Sequence, residues 1–207
     1  MPSFTSAERD AISARLREAG ARLFAAQGAR KTTLEDLTGP AGISKASFYS
    51  FYSSKESLYI DLLLEQADGI AERIIRAATE PDDLQAGIAA LLREIVAVLE
   101  TNPLYRRFLS HPDEVRAIHD RIGPAELERA NRALSDPLLA FIEEAQRTGE
   151  LVPADPTAVL GVLRSAVLVT LHREEFAPDV YQQTLDLTID TVAAGITCAA
   201  HPAWRTG

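Results

Sequence analysis

The stretch Gly42–Tyr59, GISKASFYSFYSSKESLY, decides the fold and raises the first question about function. It holds five aromatic residues, two lysines and six serines, although the whole chain carries a formal net charge of −9. The rings indicate a small, rigidly packed element. The lysines and hydroxyls indicate a surface that faces something anionic.

Two short helices joined by a tight turn are predicted around this stretch. The first helix opens at Thr32 or Thr33, the second opens at Ser44, and Ala41–Ile43 form the turn between them. Glycine at position 42 permits the positive φ that such a turn demands. Two short helices with a glycine-containing turn describe a helix-turn-helix unit.

The start of the second helix is the predicted contact with DNA, because in such units these residues face the major groove. Here they are small or basic, so nothing bulky holds the helix away from the bases. The predicted DNA contacts are Thr33, Ser44, Lys45, Ala46, Ser47, Tyr49, Tyr52 and Lys55. Among these, the hydroxyls and the Lys55 ammonium at a helix N-terminus are suited to phosphates. Phe48 and Phe51 are predicted to pack inward, against the first and fourth helices.

The rest of the chain is read as further helices, with no β-hairpin signal and no repeat. The first helix starts at a capping box from Thr5 to Glu8 and stops near Gly28. The fourth opens at Ser53, with Glu56 closing another capping box. The remaining helices are predicted over 82–102, over 103–123 as one or two pieces, over 124–151 with a kink or division at Pro137, and over 155–176 and 178–200.

Composition favours a soluble cytoplasmic protein with one charged end. Residues 1–57 carry +2 and hold all three lysines, so the rest carries −11. Such asymmetry can mark a nucleic-acid face, and chance is the alternative. The single cysteine, Cys198, excludes an internal disulfide and fits a reducing compartment. We expect no signal peptide, no membrane span, no metal site and no cofactor, and the tail His201–Gly207 is expected to be loosely held.

The run Thr32–Tyr59 resembles the DNA-binding segment of the tetracycline-repressor (TetR) family, and the resemblance extends over about residues 6–64. The matching positions are Thr33, Asp36, Leu37, Ala41, Gly42, Ile43, Ser44, Phe48, Tyr49, Tyr52, Lys55, Glu56 and Leu58. Two departures stand out. Gly39-Pro40 replaces the usual end of the second helix, so that helix should be short or irregular in its last turn. Ala46 and Ser47 replace the family's common Gly and Thr.

The resemblance implies an all-α protein of about nine helices: an N-terminal three-helix helix-turn-helix domain, residues 1–56, and a C-terminal ligand-binding and dimerisation bundle, residues 57–207. It also implies a homodimer that uses its last two long helices as the seam and binds a palindromic double-stranded DNA operator. A small-molecule effector would release the DNA by moving the fourth helix and changing the separation of the recognition helices. That separation must match one turn of DNA, about 34–36 Å.

Candidate effector contacts are the polar and aromatic residues set among the apolar helices of the C-terminal body, namely Tyr105, Phe108, Phe141, Arg164 and His172. Arg164 interrupts the longest apolar run, 158–171. It could anchor an anionic group of an effector. It could equally be a structural residue that forms a salt bridge or extends to the surface.

Two other functions stay open. An all-helical enzyme is one, although no nucleophile elbow, glycine-rich phosphate loop, HExxH pair or cysteine-histidine pair occurs. A DNA-binding dimer without a small-molecule ligand is the other, and an enclosed pocket in the C-terminal body would distinguish it from the leading hypothesis. That hypothesis is a ligand-responsive transcriptional repressor without enzymatic activity.

Overall fold

The computed structural model describes residues 4–197, apart from the side chains of Pro124, Leu127 and Asn131. Cys198 and His201–Gly207 therefore lie outside the described residues. The described chain is all helical, as predicted, and contains ten α-helices and one 3₁₀ helix where about nine helices were expected. The bounds are α1 Ser6–Lys31, α2 Leu34–Ala41, α3 Lys45–Phe48, α4 Lys55–Thr79, α5 Leu84–Thr101, α6 Pro103–Ser110, α7 Pro112–His119, α8 Pro124–Arg147, α9 Pro156–Val167, the 3₁₀ helix Leu168–Glu175, and α10 Pro178–Thr197.

Most predicted helix boundaries are close to those observed, and the exceptions have local causes. Residues 103–123 form two helices, because Pro112 starts a new one directly after α6. Pro137 does not divide α8, which runs through it. The helix predicted over 155–176 is α-helical only to Val167 and continues as the 3₁₀ helix.

The start of α4 was predicted one residue too early. The hydroxyl of Ser54, rather than Ser53, accepts the Ser57 N–H at 3.0 Å, so Ser54 caps the helix. Glu56 does not close a capping box there, and its side chain is buried. The predicted box at the start of α1 is confirmed, because Thr5 and Glu8 cap each other reciprocally.

The chain divides into two compact units, and the division differs from the functional boundary predicted after residue 56. The first unit comprises residues up to Gln66 together with Pro103–Asn131, and the second comprises Ala67–Asn102 with the residues from Arg132 onward. The division into functional domains at 1–56 and 57–207 stays a prediction.

The first unit is built around α1, which packs against α2, α6 and α7. Its core contains fully buried side chains from α1, α2, α3 and α4, and the Phe24 and Tyr59 rings meet edge to face with centroids 5.0 Å apart. Each such side chain contributes about 1.5–3 kcal/mol by leaving water. Burial also raises the pKa of Tyr59. The short α2 and α3 therefore rest on a rigid base.

Gly28 interrupts α1 with φ +80°, a conformation that glycine adopts readily. It was predicted to end the helix, but Ala29–Lys31 continue beyond the break and Thr32 caps them. The Thr32 hydroxyl donates to the Gly28 carbonyl at 2.8 Å.

In the second unit, α10 packs against α5 and α9, with its core formed by aliphatic side chains such as Leu92, Leu163 and Ile189. None of the described helices is both long enough and apolar enough to cross a membrane. Within residues 4–197 no group of three or more His, Cys, Asp or Glu side chains is placed to hold a metal ion.

Candidate DNA-binding surface

The turn between α2 and α3 has the geometry that the sequence predicts. Gly42 adopts the left-handed conformation, with φ +71° and ψ 30°, and its N–H bonds back to the last turn of α2. The Ile43 N–H donates to the Thr38 carbonyl at 3.2 Å, which completes a Schellman-type helix end. Pro40 lies in the last turn of α2, so the eight-residue helix is short, as its departure from the family pattern suggested.

The beginning of α3 is an exposed, well-capped helix start. Ser44 is the N-cap, and its hydroxyl accepts the Ser47 N–H at 3.2 Å and contacts the Ser47 hydroxyl at 2.9 Å. Lys45 and Ala46 are exposed beside it. The residues predicted to contact bases therefore form one small surface that solvent can reach.

Phe48 holds this surface in place. Its side chain is fully buried, as predicted, and its ring contacts those of Tyr49 and Tyr52 with centroids 5.8 and 5.9 Å away. The helix is only four residues long, and hydrogen-bonded turns continue its backbone as far as Tyr52. Tyr49, 59% exposed, projects from the same short segment.

Arg9 supports the far end of the segment, a role that the sequence did not reveal. Its guanidinium lies 4.7 Å above the Phe51 ring and donates to the Ser50 carbonyl at 2.9 Å. Phe51 was predicted to pack inward against the first and fourth helices, but it is only half-buried and packs against Phe4 and against Arg9 of α1. No periodic pattern could have shown this contact, because about 40 residues separate Arg9 from its partners.

Thr33 caps α2 and pairs reciprocally with Asp36. The hydroxyl accepts the Asp36 N–H at 3.2 Å, and the Asp36 carboxylate accepts the Thr33 N–H at 2.9 Å. Hydrogen bonds from the Thr33 N–H and from the Thr33 side chain to this carboxylate lower the pKa of Asp36. This reciprocal pairing decides between Thr32 and Thr33 as the start of the helix.

Both predicted lysine contacts have partners within the protein. Lys45 forms an ion pair with Glu35 of α2, and both side chains are more than half exposed. The Lys55 ammonium donates to the Thr32 carbonyl at 2.6 Å. Exposed ion pairs contribute little to stability, so Lys45 can exchange Glu35 for a phosphate at small cost.

Tyr52 lies in a network of charged groups rather than at the exposed face. Its hydroxyl donates to the Asp61 carboxylate at 3.3 Å, and Arg17 pairs with Asp61 and Glu65. Partial burial acts to lower the pKa of Arg17, but hydrogen bonds to Glu65 and Tyr52 and the charge of Asp61 outweigh it and raise that pKa. A phosphate contact by Tyr52 would require it to leave Asp61.

The predicted effector contacts are divided between the two units. In the first, the Tyr105 hydroxyl donates to the Leu63 carbonyl at 2.7 Å, and the Phe108 ring lies 6.1 Å from that of Tyr59. In the second, Phe141 is half-buried, while Arg164 and His172 are exposed. These residues stay predictions as effector contacts.

The two exposed members have ordinary surface partners. Arg164 donates to the Ser135 hydroxyl at 2.9 Å, and His172 lies 2.9 Å from the Glu175 carboxylate. For Arg164 this geometry fits the structural alternative, an extended side chain at the surface.

Comparison with known proteins agrees with this geometry. Residues 16–62 match the family model of the bacterial regulatory proteins of the tetR family. The nucleoid occlusion factor SlmA of Vibrio vulnificus (strain YJ016) is 27% identical over 165 residues, covering 78% of this chain and 82% of that protein. The transcriptional regulator RutR of Escherichia coli (strain K12) is 29% identical over 157 residues, covering 76% of this chain and 71% of RutR.

Solved structures share the fold over nearly the whole chain. A TetR family transcription regulator from Marinobacter aquaeolei VT8 has a TM-score of 0.66 at 17% identity, with 93% of this chain and 98% of that chain covered. FadR from Bacillus subtilis, bound to stearoyl-CoA, has a TM-score of 0.65 at 14% identity over 91% and 99%. RolR, bound to resorcinol, has a TM-score of 0.64 at 18% identity over 95% and 93%. The helix-turn-helix segment of this chain is thus similar to that of the bacterial regulatory proteins of the tetR family, and its all-helical fold is shared with solved structures of regulators from that family.

Proposed function

We propose that this protein is a ligand-responsive transcriptional repressor that binds a palindromic operator as a homodimer in the cytoplasm and is released by a small-molecule effector. The main support for this proposal is the capped start of α3. Ser44, Lys45 and Ala46 are exposed to solvent there, and the buried side chain of Phe48 fixes the helix to the core. A rigid, exposed and uncrowded helix start fits the major groove. No enzymatic activity is part of this proposal.

Backbone contacts would come from the groups around α3. The Thr33 hydroxyl, the Tyr49 phenol and the lysines at positions 45 and 55 supply donors and positive charge. The amino end of α4, where Lys55 stands, adds the dipole and free N–H groups that favour a phosphate. These contacts would position α3 without reading the sequence.

The uncharged outer faces of α9 and α10 support the dimer. On α10, exposed or half-buried residues recur every three or four positions and none is charged: Val180, Thr184, Leu187, Thr191 and Gly195. On α9 and just beyond it, the same holds for Ala158, Val162, Ser165 and Leu168. Exposed large apolar side chains, namely Val162, Leu168, Val180 and Leu187, lie along these faces and fit an interface. A two-fold dimer is what a palindromic operator requires.

The effector is inferred from the family and from two neighbours of the same fold, RolR bound to resorcinol and FadR bound to stearoyl-CoA. An effector acts only if it binds the DNA-free state better than the DNA-bound state, and a tenfold preference corresponds to about 1.4 kcal/mol. Movement of α4 would change the separation of the two α3 helices.

A second candidate function, a DNA-binding dimer without a small-molecule effector, is favoured by two observations. One relative is named a nucleoid occlusion factor rather than a transcriptional regulator. In addition, Arg164 and His172, two predicted effector contacts, lie exposed at the surface.

One experiment tests the function and separates the two candidates. Purified protein is mixed with genomic fragments, and bound DNA is recovered and sequenced. We expect a palindromic motif upstream of a small number of genes. Affinity for that motif is then measured with and without a panel of metabolites. A motif without symmetry would contradict the proposed dimer, and affinity unchanged by every metabolite would favour the second candidate.

A further inference from the structure

A cavity of about 190 Å³ lies within the first unit, between the end of α1, the start of α4 and α7. Charged side chains dominate its wall: Arg30, Lys55, Glu56, Glu114 and Arg121, with Ile118 contributing an apolar patch. An engineered apolar cavity of about 150 Å³ takes up benzene, so this one has room for a molecule of about six heavy atoms.

Glu56 is the unusual member of the wall. Its side chain is only 7% exposed, and its nearest charged partner is the Arg121 Nε, 3.9 Å from Oε1 and beyond hydrogen-bond range. Among the residues that the structure describes, none donates a hydrogen bond to this carboxylate. Because Glu56 lines the cavity and receives no donor from the described residues, its carboxylate is suited to accept a hydrogen bond from a molecule in the cavity.

Positive charge exceeds negative charge around this carboxylate. Glu114 is already paired with Arg107 through two hydrogen bonds of 2.6 and 3.1 Å. Within residues 4–197 Arg30 forms no ion pair, and the ion pair of Arg121 is the long one with Glu56, at 3.9 Å. The wall therefore offers Arg30 and Arg121 as cations for an acidic group, and the Glu56 carboxylate as an acceptor for a hydrogen-bond donor.

We propose that this cavity binds a small organic acid that carries a hydrogen-bond donor close to its acid group, as an amino acid or a hydroxy acid does. The acid group would lie against Arg30 and Arg121, and the ammonium or hydroxyl would donate to Glu56. Because Lys55 lines the cavity and is also a proposed phosphate contact, occupancy and operator binding would be linked. Binding of the acid itself does not depend on the proposed function.

The test is calorimetric titration of the DNA-free protein with three acids of nearly equal size: L-alanine, L-lactate and propionate. We expect alanine or lactate to bind, and propionate, which lacks the donor, to bind about tenfold more weakly. In the variant Glu56→Ala this preference should disappear and the three affinities should converge. The control Glu72→Ala, an exposed position on the same helix, should keep the preference.

A second variant, Glu56→Gln, distinguishes the amino acid from the hydroxy acid. It also provides a separate test if Glu56→Ala does not fold. Glu56→Gln keeps an acceptor and loses the charge, so it should weaken alanine more than lactate. Thermal melting establishes that each variant is folded. The proposal is overturned if neither alanine nor lactate binds the parent with a Kd below about 10 mM. It is also overturned if propionate binds the parent as tightly as alanine and lactate do. A folded Glu56→Ala variant that still prefers alanine or lactate over propionate, or a folded Glu56→Gln variant with the parent's affinities, would overturn it as well. Since no DNA is present, these outcomes leave the proposed function untouched.

Discussion

The ammonium group of Lys55, at the first residue of α4, donates a hydrogen bond to the Thr32 carbonyl at the end of α1, with 2.6 Å between Nζ and the oxygen. This contact joins the helix that leads out of the DNA-binding segment to the helix that supports it. It also holds a positive charge beside the amino end of α4, where a phosphate is favoured. Lys55 therefore links two helices, and we propose that it also binds a DNA phosphate.

Replacing Lys55 with alanine should weaken binding to every DNA sequence, because a phosphate contact carries no sequence information. The slope of log affinity against log salt should fall by about one unit. Fluorescence anisotropy on the operator and on random duplex measures both effects. Arg76→Ala, exposed in the last turn of α4, is the control and should behave as the parent. Loss of affinity for the operator alone would contradict this role.

Removing the exposed phenol of Tyr49 should cost about one hydrogen bond to DNA. We expect Tyr49→Phe to weaken operator binding by ~1 kcal/mol without lowering the melting temperature. Tyr181→Phe is a matched control, because its buried hydroxyl has no hydrogen-bond partner in the described part of the chain. Equal operator affinity in the parent and in Tyr49→Phe would remove Tyr49 from the contact surface.

Gly28→Ala should destabilise the fold. A side chain there would meet the Glu114 carboxylate and would lie 2.5 Å from the Arg107 Nη2, and the φ of +80° strains any other residue. We expect a loss of at least about 2 kcal/mol in urea unfolding. Gly69→Ala, inside α4 with open space around it, should instead be neutral or stabilising. A Gly28 variant as stable as the parent would show that α1 or its neighbours rearrange at little cost.

Leu187→Asp should dissociate the proposed dimer, because Leu187 is 68% exposed in the monomer at the centre of the uncharged face of α10. Burying a charge at an interface without a partner is strongly unfavourable. Light scattering on a sizing column measures the mass. Leu109→Asp, at an exposed leucine of α6, is the control and should stay dimeric. A monomeric parent, or a dimeric Leu187 variant, would refute this interface.

Local rules predicted much of the fold. The capping box of α1, the glycine turn after α2 and the burial of Phe48 each depend on residues a few positions apart, and all three are confirmed. The predicted start of α4 was wrong by one residue, because Ser53 and Ser54 are both acceptable caps and only the observed hydrogen bond chooses between them.

Contacts between distant segments could not be predicted in this way. Arg9 contacts Phe51, and the absence of a side chain at Gly28 leaves space for Glu114. Contacts of this kind produce no periodic pattern in the sequence. The partners of Lys45, Tyr52 and Lys55 likewise come from other helices. The sequence could therefore indicate candidate DNA contacts, but not which of these side chains already have partners within the protein.

The variant Ala46→Glu tests directly whether the start of α3 enters the major groove of DNA. Ala46 is exposed beside the N-cap, so the substitution should leave the melting temperature unchanged while placing a carboxylate against the DNA. We predict that operator affinity, measured by anisotropy, falls at least tenfold, because like charges at an interface cost several kcal/mol. Ala140→Glu, an exposed position on α8, is the control. Parent-like affinity of Ala46→Glu would show that the start of α3 does not enter the major groove.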